Sequence, residues 1–192
     1  MHTHVGALDH NFDHTLPEKW FKEKALLAFR DEMILDFVNI QDTDEEPDER
    51  VLEYEIVQNI KKFIMALGAD FCFIGNQYRL IVSEEEYFID LLFFNRALQS
   101  LVAIELKKGK FKAEYVGKMN LYLSALDEYV KQPNEKPSIG IILCREKNQK
   151  IVEFAFRDTS KPMGVITYKT YKDLPEKYKK TLPKMDDLKK LL

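Results

Sequence analysis

The spacing of apolar side chains changes near residue 69, and this change separates a helical stretch from an extended one. Between residues 56 and 67, apolar positions recur every three or four residues, which predicts an amphipathic helix that begins at Pro47 and ends at Gly68. From residue 69 to about residue 108 the spacing becomes two, in short runs rich in aromatic and branched side chains. This pattern predicts antiparallel strands at 71–75, 76–82, 87–95 and 100–108.

The second half of the chain has the pattern of a crossover connection. A helix is expected at about 113–130, and a continuous apolar run at 137–146 follows it. An apolar strand that follows a crossover helix is typically parallel to its neighbour and buried on both faces. A short helix, a last strand at 164–171 and a terminal helix complete the chain. We therefore expect an α/β fold with a central mixed β-sheet flanked by helices.

The first 44 residues differ from the rest, and we call them the amino-terminal arm. They are expected to form short helical turns, and nine aromatic or branched apolar side chains fall between residues 20 and 38. Such a segment is too short to fold alone, so it docks on its own core or on a second copy. We favour a homodimer, because the acidic connector at 41–49 is long enough to reach a neighbour. The domains are then a helical arm at 1–44 and a main domain at 45–192.

Composition limits the classes of protein that the chain can be. It has 192 residues, of which 45% are apolar, and this suits one globular domain. The 29 basic and 32 acidic residues give a formal net charge of −3, so a surface for a polyanion must be local. No apolar run is long enough to cross a bilayer, and the start of the chain lacks the apolar stretch of a signal peptide. We expect a cytoplasmic protein.

Two neighbouring predicted strands each carry an acidic residue on a face with catalytic potential. Alternation places Asp90 in an otherwise apolar row, where a carboxylate must be paired, hydrogen-bonded or bound to a cation. On the next strand Glu105 and Lys107 share one face, about 6.6 Å apart along the strand. Glu53 continues the apolar stripe of the first helix. These four side chains are expected to converge.

Clustered carboxylates are the hard oxygen ligands that Mg²⁺ prefers in proteins. We expect Asp90, Glu105 and Glu53 to hold Mg²⁺ or Mn²⁺, which would acidify a water and neutralise charge on a phosphate. Lys107, with a pKa lowered by burial, would orient that water or accept its proton. The alternative is structural, with Glu105 and Lys107 as an ordinary charge pair and Asp90 as a cap for backbone groups.

A cluster of positive charge follows the second acidic strand. Four lysines beyond Lys107 are expected to neutralise phosphates of a nucleic acid, namely Lys108, Lys110, Lys112 and Lys118. Gln77 and Arg79 share a strand face and are further candidates for substrate contact, as is Tyr122, which shares a helix face with Lys118. The alternatives are a solvated loop for the lysines, solvent exposure without function for Gln77 and Arg79, and burial in the core for Tyr122.

Long segments of the chain resemble the carboxy-terminal nuclease domain of YhcG-type proteins, which are members of the PD-(D/E)XK superfamily. They include YFIDLLFFNRALQSLVAIELKKGKFKAEYVGKMNLYLSALD, KPSIGIILCREKN and KPMGVITY, and the likeness runs from about residue 51 to about residue 183. The resemblance implies a restriction-endonuclease-like core within the domain at 45–192.

The same resemblance assigns roles to individual residues. Asp90 takes the place of the acid in the first strand motif, where Ile89 stands instead of the proline in the superfamily's name. Glu105 and Lys107 form the E-x-K pair in AIELKKG, and Glu53 is the acid of the first helix in LEYEI. Metal-dependent cleavage of phosphodiester bonds is what these positions imply.

We therefore expect a nuclease that hydrolyses nucleic acid, with DNA as the expected substrate, at a D…ExK site loaded with Mg²⁺ or Mn²⁺. One alternative is a PD-(D/E)XK fold that has become a non-catalytic nucleic-acid-binding or assembly module. Another is a structural protein whose amino-terminal arms bridge two copies. The retained acids and Lys107 favour the enzyme.

Overall fold

A mixed sheet of seven strands forms the centre of the residues that the structure, a computed structural model, describes: 7–16, 18–38 and 49–176. The strands are β1 (Asp9–His10), β2 (Glu32–Leu35), β3 (Phe71–Val82), β4 (Glu85–Asn95), β5 (Ser100–Leu106), β6 (Ile139–Cys144) and β7 (Met163–Thr170). They follow the order β1-β7-β6-β5-β4-β3, and β2 also pairs with β7.

Helices cover both faces of this sheet. They are α1 (Phe12–Thr15), α2 (Lys19–Ala28), α3 (Glu49–Gln58), α4 (Ile60–Leu67), α5 (Glu114–Ala125) and α6 (Gln149–Phe156). Buried side chains of α1 to α4 share one cluster with Val102, Ile104 and Leu106 of β5. Those of α5 and α6 share a second cluster with Ala103 of the same strand. Alternation along β5 thus separates two layers of helices, and the predicted α/β fold with a central mixed sheet is confirmed.

Strand directions follow the expected connections. The pairs β3–β4 and β4–β5 are antiparallel, whereas β5–β6 and β6–β7 are parallel. Helix α5 makes the crossover from β5 to β6, and Gly140 of β6 leaves the space for it. A Cβ at Gly140 would lie 2.5 Å from Cγ of Met119 on α5. This close approach allows α5 to pack against β6 and the neighbouring β5, the strand that carries the E-x-K pair.

The amino-terminal arm contains two strands that its sequence pattern did not predict, β1 and β2, and both pair with β7. Glu32–Leu35 pairs in parallel with Thr167–Thr170 of β7, so the expectation of helical turns is wrong for these residues. Met33 and Leu35 are buried while Glu32 and Ile34 are exposed. This alternation covers only four residues, which is too short to be recognised in the sequence. The edge of β7 provides hydrogen-bond partners for the backbone of Glu32–Leu35, which a helix would otherwise provide within itself.

Many apolar side chains of the arm pack within the same chain. They join the first buried cluster through Leu8, Phe12, Leu16, Phe21, Ala25, Phe29, Met33, Leu35 and Val38. Burial of these side chains therefore does not require a second copy, whereas Trp20, Leu26, Leu27 and Ile34 remain exposed. The homodimer stays a prediction. The proposed division of the chain at residues 44 and 45 lies outside the described residues and also stays a prediction.

Three further expectations differ in detail from the structure. The first predicted helix is interrupted at Asn59, between α3 and α4, and its expected start at Pro47 lies outside the described residues. The two strands expected at 71–75 and 76–82 are one strand, β3, with an irregular register between Phe73 and Gly75. The second helix ends in a π-helical turn, Leu126–Val130. The expected terminal helix lies outside the described residues.

Within the described part of the chain, every helix is too short or too polar to cross a bilayer. The cytoplasmic location stays a prediction.

Candidate active site

Asp90 and Glu105 lie side by side on neighbouring antiparallel strands. Leu91 of β4 pairs with Ile104 of β5, which puts Asp90 and Glu105 at the next position of the register. Oδ2 of Asp90 also accepts the backbone N–H of Leu106 over 2.8 Å. The two acids that the sequence predicted to converge are therefore held together by strand pairing.

Glu105 is buried, with 2% of its surface exposed, between two ammonium groups. Its Oε1 lies 3.0 Å from Nζ of Lys107 and 2.6 Å from Nζ of Lys118. Its Oε2 has no hydrogen-bond partner among the residues that the structure describes. A buried carboxylate oxygen without a donor is costly, so this atom is open to a cation or a water.

The environment of Asp90 disfavours its charged form. Burial raises the pKa of Asp90 to about 6, and the neighbouring charge of Glu105 adds to this effect. The N–H of Leu106 and the charges of Lys118 and Lys107 act in the opposite direction. Asp90 is thus a carboxylate whose ionisation a nearby cation would favour.

Lys107 is fully enclosed and doubly paired. It is 6% exposed, and its Nζ lies 3.0 Å from both Glu105 Oε1 and Glu49 Oε2 and 5.0 Å from the centre of the Tyr115 ring. Burial lowers the pKa of Lys107, but the carboxylates of Glu105 and Glu49 outweigh burial and leave the pKa raised. The expectation of a lowered pKa is therefore wrong, because it considered burial without the paired acids. Lys107 is a cation here.

Glu53 reaches the site through amide side chains of β3. Its Oε1 accepts from Nδ2 of Asn76 over 3.2 Å, and its Oε2 accepts from Nε2 of Gln77 over 2.6 Å. The same nitrogen of Gln77 lies 3.4 Å from Oδ1 of Asp90. Glu53 is therefore connected to Asp90 by Gln77 rather than by direct contact.

The predicted phosphate-binding lysines form two groups in the structure. Lys110 and Lys112 are exposed and make ion pairs at the surface, at 3.0 Å with Glu146 and 3.9 Å with Glu114. Exposed pairs of this kind contribute little stability and exchange readily with other anions. Lys118 instead bonds to Glu105 inside the site, and Lys108 is half-buried at the end of β5.

Two further candidates occupy different environments. Arg79 is exposed on β3 and forms an ion pair with Glu86 of β4. Tyr122 is buried under the sheet, where its hydroxyl donates to the carbonyl oxygen of Phe88 over 2.6 Å. Burial and the charge of Glu105 raise the pKa of Tyr122. This position favours the alternative of a core tyrosine that supports Lys118, whose Nζ lies 5.3 Å from the centre of its ring.

The side chains of this site have a net charge that suits a divalent cation, but the described acids are not arranged as a complete metal-binding group. Four carboxylates and two ammonium groups are linked by contacts here, which leaves a formal charge of −2 when all are ionised. Asp90 and Glu105, with its open Oε2, are the pair that fits an ion. No group of three ligand side chains already stands at metal-binding distance within the described residues.

Sequence reasoning missed Glu49, Asn76 and Tyr115, which hold Lys107 and Glu53 in place. Glu49 precedes Glu53 by one helical turn, so both lie on the same face of α3. That spacing was a signal. No comparable signal marks Asn76 or Tyr115.

A mixed sheet with an acid on one strand and an E-x-K pair on the next defines the PD-(D/E)XK class of nuclease folds. The chain belongs to the family described as the YhcG PDDEXK nuclease domain, whose model matches residues 26–183. It is 34% identical over 156 residues to an Escherichia coli (strain K12) protein named "Putative nuclease YhcG". The match covers 81% of this chain and 39% of that relative, so the chain spans about two fifths of the relative's length.

Two solved structures are similar at low sequence identity. One is a repair endonuclease from Pyrococcus abyssi, with a TM-score of 0.42, 15% identity and coverage of 67% of this chain and 48% of that chain. The other is EndoMS in its apo form, with a TM-score of 0.40, 15% identity and coverage of 66% and 47%. Neither likeness bears on function.

Proposed function

We propose that this domain is a metal-dependent nuclease that hydrolyses phosphodiester bonds, with DNA as its substrate. One observation carries the proposal: the half-buried Asp90 and the buried Glu105 are adjacent, and Glu105 keeps an oxygen that has no donor among the described residues, beside the cationic Lys107. Membership of a nuclease family supports the reaction class. Carboxylates kept together in this way repel each other, and a divalent cation relieves that repulsion.

The residues of the site have different proposed roles. Asp90 and Glu105 would hold Mg²⁺ or Mn²⁺, with Glu53 as a further acid of the site. When bound, such an ion acidifies a water and neutralises charge on the phosphate. Lys107, charged and held by Glu49, orients the attacking water or the phosphate by donating hydrogen bonds, and it does not act as a base in this charged form.

The surface beside the site supplies the contacts to the nucleic acid backbone. Lys108, Lys110 and Lys112 leave the end of β5, directly after Lys107. Their neighbours Glu146 and Glu114 are exposed partners that a phosphate can replace. Arg79, exposed on β3, extends the proposed interface. Lys118, which is half exposed, lies between this surface and Glu105, and the buried Tyr122 supports it. We also propose that the chain forms a homodimer, which would suit an enzyme that cuts both strands of a duplex.

A panel of labelled DNA and RNA substrates tests the proposal. The chain is incubated with single-stranded and duplex forms in Mg²⁺, in Mn²⁺ and in EDTA, beside Glu105→Gln as the inactive control. We expect DNA cleavage that requires the metal and Glu105. Cleavage of RNA alone would correct the substrate, and equal cleavage by Glu105→Gln would overturn the site.

One observation favours the alternative of a non-catalytic binding module. Lys107 and Lys118 both occupy Oε1 of Glu105, so this candidate ligand is already partly neutralised by the protein itself. A chain that binds nucleic acid but cleaves no member of the panel in either metal would support that alternative.

A further inference from the structure

Gln77 lies between two of the candidate acids and contacts both. Its Nε2 donates to Oε2 of Glu53 over 2.6 Å and lies 3.4 Å from Oδ1 of Asp90. Ionised carboxylates only accept hydrogen bonds, so the nitrogen is the end of the Gln77 amide that faces them. One neutral side chain therefore connects an acid of α3 with an acid of β4.

The backbone of Gln77 is unusual for a residue within a strand. Its φ is 45°, in the left-handed region, although Gln77 lies in the middle of β3. The pairs on either side, Asn76 with Leu91 and Tyr78 with Ile89, place Gln77 opposite Asp90. Non-glycine residues adopt this conformation at a cost, and such strain concentrates at functional sites.

Uncharged donors hold Glu53 on both of its oxygens. Asn76 donates to Oε1 and Gln77 to Oε2, so both donors come from neighbouring positions of β3. Amide donors orient a carboxylate without cancelling its charge, whereas the lysines at Glu105 do cancel charge. Glu53 is thereby fixed in direction and keeps its charge available to a cation.

We propose that Gln77 is a positioning residue, which holds Glu53 against Asp90 so that both carboxylates serve one divalent cation. The inference rests on the proposed function, because it supposes that cation. It departs from the substrate contact that the sequence predicts for Gln77, since the acids already engage the donor end of the amide. The side chain takes this position from a backbone with φ 45°.

Calorimetric titration of the full chain with Mn²⁺, without nucleic acid, measures this role. Gln77→Ala is expected to weaken Mn²⁺ binding about tenfold, the loss typical when a group that orients a metal ligand is removed. The same substitution in a Glu53→Gln background should cause no further loss, because the amide acts through Glu53. Equal losses in both backgrounds would overturn the proposal.

Gln99 provides a matched control for the backbone. It is also a glutamine in the left-handed region, with φ 53°, in the turn between β4 and β5. Glycine relieves the strain at either position. Gln77→Gly should weaken Mn²⁺ binding as Gln77→Ala does, and Gln99→Gly should leave it unchanged. Loss of Mn²⁺ binding in Gln99→Gly to the same extent would overturn a specific role for Gln77.

Two measurements without metal separate this proposal from the proposed function. Binding of labelled DNA in EDTA should be the same for Gln77→Ala and the unsubstituted chain, and a loss there with intact Mn²⁺ affinity would make Gln77 a substrate contact. The changes in unfolding free energy that Gln77→Ala and Glu53→Ala cause singly should not be additive in the double variant, because the two side chains are hydrogen-bonded to each other. Additive changes in unfolding free energy would overturn the positioning role. If the changes are not additive but the unsubstituted chain binds no Mn²⁺, the proposed function is overturned instead.

Discussion

Lys118 of α5 donates a hydrogen bond to Glu105 of β5, with 2.6 Å between Nζ and Oε1. A lysine expected to bind phosphate thus neutralises a candidate metal ligand. The Lys118 side chain is 46% exposed, so its ammonium group has room to leave when another cation approaches. The ammonium group of Lys118 therefore competes with a metal ion for the carboxylate of Glu105.

This competition gives a direction to a test of Lys118. Lys118→Met removes the ammonium and keeps much of the apolar length, so we expect Mn²⁺ binding to become tighter by about threefold to tenfold, about 1 kcal/mol. Calorimetry measures the change. Lys110→Met, which removes an exposed ammonium paired with Glu146, is the matched control and should have little effect. Weaker Mn²⁺ binding in Lys118→Met would contradict the competition.

Lys107 is expected to matter for cleavage far more than for metal binding. Lys107→Ala removes a positioned charge, and a loss of about 100-fold or more in cleavage rate is typical for such a group. Its binding of Mn²⁺ should not weaken, because the ammonium group of Lys107 pairs with Glu105 and Glu49 and is not itself a metal ligand. Parallel assays of cleavage and of Mn²⁺ titration check both parts. Cleavage at the unsubstituted rate would exclude this mechanism.

Asp90 and Glu105 should respond oppositely to neutralisation. The pKa of Asp90, about 6, lies above its ordinary value of 3.8, so the stability linked to it is present below pH 3.8 and is lost as pH rises through 6. Asp90→Asn should therefore be more stable than the unsubstituted chain at pH 8, by on the order of 2 to 3 kcal/mol, and should lose most of this advantage by pH 4.

Glu105→Gln should instead be less stable at pH 8, by about 1.5 to 3 kcal/mol, because Lys107 and Lys118 lose a charged partner. Urea unfolding of both variants without metal, at several pH values, gives the comparison. Two variants that change stability in the same direction at pH 8 would show that the two acids share one environment.

The lysines that follow β5 should account for much of the salt dependence of DNA binding. Replacing Lys108, Lys110 and Lys112 by Ala is expected to flatten the slope of log affinity against log salt by about one for each phosphate that the variant no longer neutralises. Fluorescence anisotropy in Ca²⁺ or EDTA measures the slope without cleavage. The triple variant of Lys19, Lys150 and Lys169 removes equal charge elsewhere. Equal slopes for both triple variants would mean that only net charge matters.

Strand β2 should contribute to the stability of a single chain. Leu35 is completely buried, whereas the preceding Ile34 is 53% exposed on the other side of the strand. Leu35→Ala should cost about 2 to 5 kcal/mol of unfolding free energy, and Ile34→Ala should cost much less. Chemical denaturation at several protein concentrations measures both. A similar cost for the two variants would argue against the pairing of β2 with β7.

Local patterns were sufficient to predict most of the sheet. Alternation of apolar and polar positions predicted β4 and β5 and put Asp90 and Glu105 on adjacent strands, as the register confirms. The pattern failed at β2 because four residues are too few for a period to be recognised. Pairing with β7, from the opposite end of the chain, makes that segment a strand.

By itself, the sequence determined the order of the main helices and strands, the two acids on neighbouring strands and the family. Only the tertiary structure decided how those acids are paired. Lys107 meets Glu49 across 58 positions of the chain, and this contact reverses the direction of the lysine's pKa that burial alone predicts. Gln77 likewise meets Asp90 only when β3 pairs with β4, and it meets Glu53 only when α3 lies beside β3. Spacing along a strand or helix sets which side chains share a face, whereas Coulomb interactions and hydrogen bonds depend on distances that folding alone establishes.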